Sequence, residues 1–455
     1  MASAAEQLAA NFSLGAFSKA TELKKRLWFT LGALLVYRLG TFIPIPGIDT
    51  AVFSQVYNQL SEGVLGMFNL FSGGALERMT IFALNILPYI SASIIMQLMS
   101  SLSPRLEALK KEGESGRKKI NQYTRIGTVL LAAAQSYGIA VGLMGTSGPS
   151  GSVVLEPGPF FVISTMITLT GGTIFLMWLG EQITARGVGN GISLIIFSGI
   201  VAALPLSLAQ LFELGAEGSF AGSAIGSGLI TLLLLAVAGG IIAFVVFMER
   251  AQRRIIIQYP KRQVGNKVMG GESSHLPLKL NPAGVIPPIF ASSLLLMPLT
   301  VAGFSAGGGP EWLNWITVYI GHGQPLYMIL YGALIIFFAF FYTSVVFNPN
   351  DTAENLKKYG GFIPGIRPGQ KTAEYIQHIT TRLVMIGSIY LAAVCMLPEF
   401  LIAEFSMPFS FGGTSLLIVV TVTMDTVGQV HSHLLAHQYE GLIKKSKLKN
   451  KRGDR

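Results

Sequence analysis

The sequence predicts an all-α polytopic membrane protein with ten transmembrane helices in two inverted five-helix halves. Two observations of composition support the membrane class. The 455 residues are 51% hydrophobic and only 12% charged, which is about half the charged fraction of a soluble domain. The mean hydropathy is +0.55. This composition excludes a disordered chain, a collagen-like chain and a disulfide scaffold, and it argues against an ordinary soluble enzyme.

The third observation is a series of ten apolar segments, each close to the ~20 residues that cross a bilayer core. Several fill long windows without a charged residue, such as the one between Arg78 and Arg105 and the one between Arg186 and Glu213. In chain order, the predicted spans cover residues 27–46, 79–104, 126–146, 160–180, 187–205, 228–248, 283–302, 325–347, 380–397 and 413–436.

The distribution of Lys and Arg predicts the orientation of these spans. With the N-terminus in the cytoplasm, 31 of the 33 basic residues fall on the cytoplasmic side. Only Arg78 falls outside, and Arg38 lies within the first span. Cytoplasmic loops of membrane proteins carry such an excess of positive charge. The prediction therefore places both termini in the cytoplasm.

The outer connection divides the chain into two halves of five spans each, and five is an odd number. An odd number of spans makes a second half that resembles the first inverted in the membrane. The second span of each half contains the pattern P-x-I-x-A-S, at 88–93 and at 287–292. The predicted parts are a cytoplasmic segment 1–26, a first half 27–205, an outer connection 206–227, a second half 228–436 and a basic cytoplasmic tail 437–455.

The spans lack the groups that most membrane transporters and enzymes use. Ion-coupled transporters carry ionisable residues within their spans, whereas here Arg38 is the clear exception, facing either a polar cavity or a backbone carbonyl. No nucleotide-binding or zinc-binding motif is present. These features favour a passive conduit without a cofactor, in which a partner supplies the energy. An inverted-repeat secondary transporter and a passive membrane scaffold remain as alternatives.

Two segments outside the spans also stand out. Residues 64–71 are apolar but too short to cross, which indicates an interfacial helix or a segment that folds back into a cavity. The cytoplasmic loops 249–282 and 348–379 are long and basic. Their charge is explained either by topology and contact with anionic lipids or by docking of large partners, including an RNA surface.

Several long strings in the chain are specific enough to identify a family. They are residues 81–97, 178–184 with 187–193, 110–117, 347–349, 365–369 and 411–415. The first of them closely resembles the first signature of the SecY family, residues 178–184 with 187–193 resemble the second signature, and the other strings also match that family. The resemblance covers about residues 20–445. It implies a channel subunit of the bacterial general protein translocase, in the inner membrane, whose two inverted five-helix halves lie around a central hourglass pore.

The resemblance also implies roles for particular residues. The constriction of the family is a ring of six apolar residues, which here are Ile86, Ile90, Ile192, Ile196, Ile289 and Ile418. The i,i+4 spacing within the first two pairs puts each pair on one helix face. A plug at about 64–80 contains Met67, Phe68, Asn69, Leu70, Phe71, Ser72, Gly73 and Gly74. A lateral gate is expected where span two faces span seven, at Ser91 and Met297.

The expected partners follow from the same resemblance. Arg253 and Arg254 match a loop that the family uses for the ribosome and the motor, and Arg367 matches an arginine used with the motor ATPase. The implied partners are the small membrane subunits SecE and SecG, the motor ATPase SecA, the ribosome with its RNA, signal sequences and nascent polypeptides. The resemblance therefore implies a channel that passes unfolded chains and releases hydrophobic segments sideways into lipid.

Overall fold

A computed structural model describes residues 21–60, 69, 72–148, 151–216, 224–259, 262–264, 267–269, 273–304, 324–405 and 413–453. Within these residues the helices are α1 (Thr21–Gly40), α2 (Thr50–Leu60), α3 (Leu87–Leu102), α4 (Pro104–Lys111), α5 (Glu114–Gly145), α6 (Pro159–Arg186), α7 (Gly191–Ala216), α8 (Ala224–Arg250), α9 (Ile286–Phe304), α10 (Pro325–Val346), α11 (Pro349–Lys358), α12 (Gln370–Phe405) and α13 (Gly413–Gly453).

Each of the ten predicted spans overlaps one of these helices. Seven of the described helices are long and apolar enough to cross a membrane by themselves, namely α5, α6, α7, α8, α10, α12 and α13. The other three are α1, which carries several charges near its start, and α3 and α9, which are shorter apolar helices. Three of the ten predicted spans are thus helical, but their helices are too short or too charged to be identified as membrane-crossing by length and composition.

The second span differs most from its prediction. It was expected to be helical from residue 79, but α3 begins only at Leu87, and residues 79–86 form a chain of turns. Met79 and Asn85 adopt positive φ angles of 44° and 50°, which a helix does not accept. Pro88 then lies in the first turn of α3, where a missing amide hydrogen is tolerated.

Large apolar side chains cover the outward faces of the helices. Phe247 of α8 is 69% exposed, Ile167 of α6 is 68% exposed and Leu130 of α5 is 67% exposed. A soluble protein rarely leaves so many large apolar groups in water. This exposed surface is the one that a bilayer would cover, and the chain is a multi-pass membrane protein.

One hydrophobic core joins both halves of the chain. It contains Ile86 and Ile90 from the start of α3, Ile196 of α7, Phe290 of α9 and Ile418 of α13. A second cluster in the first half packs α2 and residues 76–84 against α5. The first core therefore holds the halves together at the place where the four helices meet.

The loop between α8 and α9 contains β-structure, which the all-helical prediction did not include. Strand β3 (Gln252–Gln258) pairs antiparallel with β6 (Ser273–Lys279), and β4 (Arg262–Val264) pairs with β5 (Lys267–Met269). A minor pair, β1 (Ser147–Gly148) and β2 (Gly151–Ser152), lies between α5 and α6. The basic loop thus contains a paired ribbon of strands rather than an irregular connection.

Candidate functional site

Isoleucines from four helices surround one small cavity. Its lining includes five of the six predicted ring residues, which are Ile86, Ile90, Ile196, Ile289 and Ile418. The cavity measures about 10 Å³, which is about the space that one water molecule occupies. Because the lining is mainly apolar and the space is so small, the cavity has room for about one water molecule and no larger group.

The helix geometry explains why these side chains converge. The amide of Ile90 donates to the carbonyl of Ile86 over 3.0 Å, so the pair lies on one face at the start of α3. The sixth predicted residue, Ile192, does not line the cavity. It is half-buried against the same core and packs over Gly180 of α6.

Polar groups complete the cavity near the starts of α3 and α9. Asn85, which precedes α3, and Ser292 and Ser293 of α9 lie in its lining. The hydroxyl of Ser292 donates to the carbonyl of Ile289 over 3.0 Å. The Ser293 hydroxyl is buried and has no hydrogen-bond partner within the described residues. The apolar ring therefore has a polar margin where α3 faces α9.

The predicted plug is described in part. Asn69, Ser72, Gly73 and Gly74 lie within the described residues, whereas Met67, Phe68, Leu70 and Phe71 lie outside them. Asn69 ties this segment together. Its carbonyl accepts from the Gly74 amide over 3.1 Å, and its side-chain oxygen accepts from the Glu77 amide over 3.0 Å. The described residues between 69 and 77 thus belong to one compact hydrogen-bonded turn, which we call the plug hinge.

The plug hinge is held between α1 and α7. The hydroxyl of Tyr37 donates to the carbonyl of Ser72 over 3.2 Å, and Nη1 of Arg38 donates to the carbonyl of Gly73 over 2.7 Å. On the other side, a Cβ on Gly73 would lie 2.8 Å from the Cα of Gly199. Of the two alternatives for Arg38, the backbone carbonyl is therefore the one observed.

The two helices of the predicted gate contact each other and begin in the same way. A residue with positive φ precedes each helix by two positions: Asn85 (φ 50°) before α3 and Gly284 (φ 64°) before α9. A proline then occupies the first turn of each helix. The short repeat seen in sequence thus corresponds to a repeated local structure.

The two residues predicted for the gate lie on these helices. Ser91 is buried on α3. Met297 belongs to α9, and its side chain lies outside the described part of the chain. The structure therefore describes the predicted gate at Ser91 on the α3 side, and on the α9 side it describes only the helix that carries Met297.

The two basic loops form one surface unit. The amide of Gln258 donates to the carbonyl of Phe362 over 2.9 Å, and the reverse bond measures 3.0 Å. A small core containing Ile255, Leu278 and Ile363 lies between the loops. The arginines of interest lie outside that core. Arg253, Arg254 and Arg367 are all exposed.

Arg367 borders a surface hollow of about 460 Å³, which is also lined by Lys371, Glu374, Tyr375 and His378. Nζ of Lys371 lies 2.9 Å from a carboxylate oxygen of Glu374. That hydrogen bond, together with the negative charge, raises the pKa of Lys371. Arg367 has no such partner among the described residues, so its guanidinium is free to bind another molecule.

Sequence reasoning missed three parts of this site, although one signal was present. An arginine inside an apolar span was itself a sign of a buried polar partner. Nothing in the sequence pointed to Tyr37, to Gly199 as the surface that receives Gly73, or to the turns at 79–86. Within the described residues, no cluster of three His, Cys, Asp or Glu side chains could hold a metal ion.

The family model and the similar proteins of known description all point to the same family. The SecY family model matches residues 80–427. A protein translocase subunit SecY of Escherichia coli strain K12 is 54% identical over 429 residues, covering 94% of this chain and 95% of the relative. The subunit of the same description from Rickettsia conorii is 54% identical over 439 residues, covering 95% and 99%.

Solved structures share the fold. One described as a protein conducting channel aligns with a TM-score of 0.61 at 18% identity, covering 90% of this chain and 92% of the other. Another, in which the plug domain of SecY stabilises the closed state, gives 0.61 at 17% identity over the same shares. Sec61 in a canine ribosome-channel complex gives 0.57 at 17% identity, again over 90% and 92%.

Proposed function

The chain belongs to the SecY family of protein translocase subunits, and we propose that its ring isoleucines form the constriction through which unfolded polypeptides pass. As the channel subunit of a Sec translocase, it conducts secretory chains across a membrane and releases hydrophobic segments into lipid. The observation that carries the proposal is the cavity of about 10 Å³ bounded by isoleucines from both halves.

An apolar constriction suits a channel that must accept any sequence. Its isoleucines offer no hydrogen-bond partner to a passing side chain, and the polar groups of the lining are confined to Asn85, Ser292 and Ser293, so most of the ring would hold no residue type in place. When the ring is closed, a narrow apolar passage loses its water and hinders ions. An ion-coupled transporter would need ionisable ligands at such a site, and the lining of this cavity contains none.

The contact between α3 and α9 suits a lateral exit. A hydrophobic segment gains about 0.8 kcal/mol for each CH₂ group that it moves from water into an apolar environment. An opening between two helices would therefore sort segments by their hydrophobicity. We assign the gate to this contact, with Ser91 on α3 and Met297 on α9 as its marker positions.

Deletion of residues 67–76 tests the plug. The segment is too short to span, and the turns at 79–86 are anchored separately, because the Ile45 amide donates to the Met79 carbonyl and the Ile81 amide to the Ile43 carbonyl, each over 3.0 Å. We expect the variant to insert and to conduct ions in planar bilayers when the parent does not. A variant that conducts no more than the parent would show that these residues do not seal the channel.

The basic loops are proposed as docking surfaces. Arg367 would bind the motor ATPase SecA, since a guanidinium can make paired hydrogen bonds to a carboxylate that a lysine cannot copy. Arg253 and Arg254 would face the ribosome and its RNA, or the motor. Support comes from their exposure and from the similar fold of Sec61 in a ribosome-channel complex.

The remaining parts of the proposal concern the assembly. SecE and SecG would accompany the chain, and anionic lipids would contact its basic side. We assign it to a bacterial inner membrane with both termini in the cytoplasm, from the 31 basic residues on that side. It would itself catalyse no reaction, because the energy would come from the ATPase or the ribosome.

Arg367→Glu tests the docking surface. We expect ATP-driven translocation of a secretory precursor into vesicles to fall at least about tenfold, the effect of losing one charge-assisted hydrogen bond, while ribosome-coupled insertion of a polytopic protein stays near the parent. Lys358→Glu is the matched control. Lys358 is an exposed residue of α11 in the same loop, and its substitution changes the charge by the same amount. Equal losses for both variants, or for both processes, would contradict a specific role of Arg367.

A further inference from the structure

We propose that Tyr37 and Arg38 of α1 form a clasp that holds the plug closed, with Arg38 as the residue that positions it. The inference deepens the proposed channel function and rests on it. Two consecutive residues of one helix donate to two consecutive carbonyls of the plug hinge, at 3.2 and 2.7 Å. Such a paired contact fixes both the position and the direction of the hinge.

The energetics single out Arg38. A charged side chain within a span is unfavourable unless polar groups surround it. No carboxylate lies within ion-pair distance of Arg38 in the described part of the chain. Its contacts include the Gly73 carbonyl and the ring of Phe42, whose centroid lies 5.1 Å from the guanidinium carbon. The closed plug therefore supplies the hydrogen-bond acceptor that this partly buried charge requires.

On the side away from α1, the plug hinge packs directly against the backbone of α7. Gly73 has a φ of 66°, and its α carbon approaches the backbone of Gly199 so closely that a Cβ would lie 2.8 Å from the Gly199 Cα. Gly199 follows Ile196, which lines the cavity, by less than one turn of α7. The clasp thus presses the hinge against the helix that carries part of the ring.

The clasp is separate from the anchor of the plug stem. Residues 79–81 are bonded to residues 43–45 by backbone groups, with an isolated bridge between Pro44 and Thr80. Loss of the side-chain bonds at 37 and 38 leaves that pairing intact. The plug hinge can therefore move away from α1 while residues 79–81 stay paired, and Arg38 sets how often it does so.

A cysteine reporter measures this movement directly. In a Cys395→Ser background, which removes the single native thiol, Ala75→Cys places a thiol within the plug hinge at a position that is 0% exposed. The readout is its labelling rate with a membrane-impermeant maleimide in the intact translocase. A hydrogen bond to a charged group is worth enough to change an equilibrium by about ten- to a hundredfold, so Arg38→Gln should raise that rate by a similar factor.

Three further variants make the result specific. Arg38→Lys keeps the charge and should restore slow labelling in part. Arg78→Gln removes a neighbouring arginine, which stacks on Phe42 with its guanidinium carbon 4.3 Å from the ring centroid, and should label like the parent. Ala140→Cys, a reporter that is 0% exposed in α5, should stay protected in Arg38→Gln.

Parent-like labelling of Ala75→Cys in Arg38→Gln would overturn the clasp, as would equal acceleration by Arg78→Gln or loss of protection at Ala140→Cys. These failures differ from failure of the channel proposal. If deletion of 67–76 opens a conductance while Arg38→Gln changes nothing, only the clasp is wrong. If Arg38→Gln speeds labelling but the deletion conducts no ions, the clasp holds the segment and the segment is not the seal.

Discussion

The isoleucine cavity and the plug hinge are neighbouring parts of the molecule, and a different kind of interaction stabilises each of them. The cavity is closed by side-chain packing among Ile86, Ile196 and Ile418, which is non-directional. The hinge is fixed by hydrogen bonds and by close backbone contact at Gly73, which depend strongly on geometry. Under the proposed function, packing would adapt to a passing chain of any shape, whereas the hydrogen bonds would define one closed position. The pair would then combine an adaptable constriction with a discrete latch.

The largest effect is expected at the hinge, where geometry is least forgiving. Gly73→Ala places a Cβ at a positive φ, which costs roughly 1–2 kcal/mol, and drives it into the backbone of Gly199. We expect a strong ion leak in planar bilayers. Gly74→Ala is the matched control, because Gly74 also has a positive φ of 84°, but a Cβ there would meet no atom within 4 Å.

Gly74→Ala should therefore show the strain alone, with a clearly smaller leak. If the two variants leak equally, the contact with Gly199 does not matter and backbone strain explains both. If neither leaks, the hinge is not a geometric latch and the comparison with the ring fails.

An intermediate effect is expected at the ring. Ile418 is 1% exposed, and Ile418→Asn would bury an amide, at a cost of roughly 1–3 kcal/mol when unpaired. This favours a wetted, open constriction by about five- to a hundredfold. The measurement is export of a reporter with a crippled signal sequence, which should increase.

Ile418→Val is the control for the ring, because it removes one methylene and keeps the apolar character. Such a change costs roughly 0.5–1.5 kcal/mol and adds no polar group, so rejection of the crippled signal should remain close to that of the parent. Equal loosening by both variants would mean that volume, rather than polarity, closes the constriction.

The smallest effect is expected for Tyr37→Phe. The substitution removes a single neutral hydrogen bond, worth about 1 kcal/mol, and the Ser72 carbonyl retains the Ala75 amide at 3.4 Å. Labelling of the Ala75→Cys reporter should rise about fivefold, less than for Arg38→Gln. An effect larger than that of Arg38→Gln would make tyrosine, and not the charge, the principal part of the clasp.

The helical spans could be predicted from short stretches of sequence. All ten predicted segments overlap helices, because a long apolar run without charges has few other ways to satisfy its backbone in lipid. The prediction was wrong at the start of span two, where turns occupy residues 79–86. Gly172 of α6 explains why they can remain there: a side chain at that position would collide with the carbonyl of Ile81.

The site residues were only partly accessible to sequence reasoning. The six isoleucines came from a family resemblance, and their role stays a prediction, although five of them line one cavity. The partner of Arg38 was left open between two alternatives, since the Gly73 carbonyl is 35 residues away in the chain. A contact at that separation leaves no periodic mark in the sequence.

The sequence by itself therefore determined the class of protein, the helical segments and the family strings, because each depends on the order of residues within one segment. Only the tertiary structure decided which isoleucines meet, where span two unwinds, how the basic ribbon pairs and what Arg38 binds. These features arise when segments far apart in the chain come together. Each of these features depends on a contact between two segments, such as Gly73 against Gly199. The sequence of one segment alone therefore does not predict it.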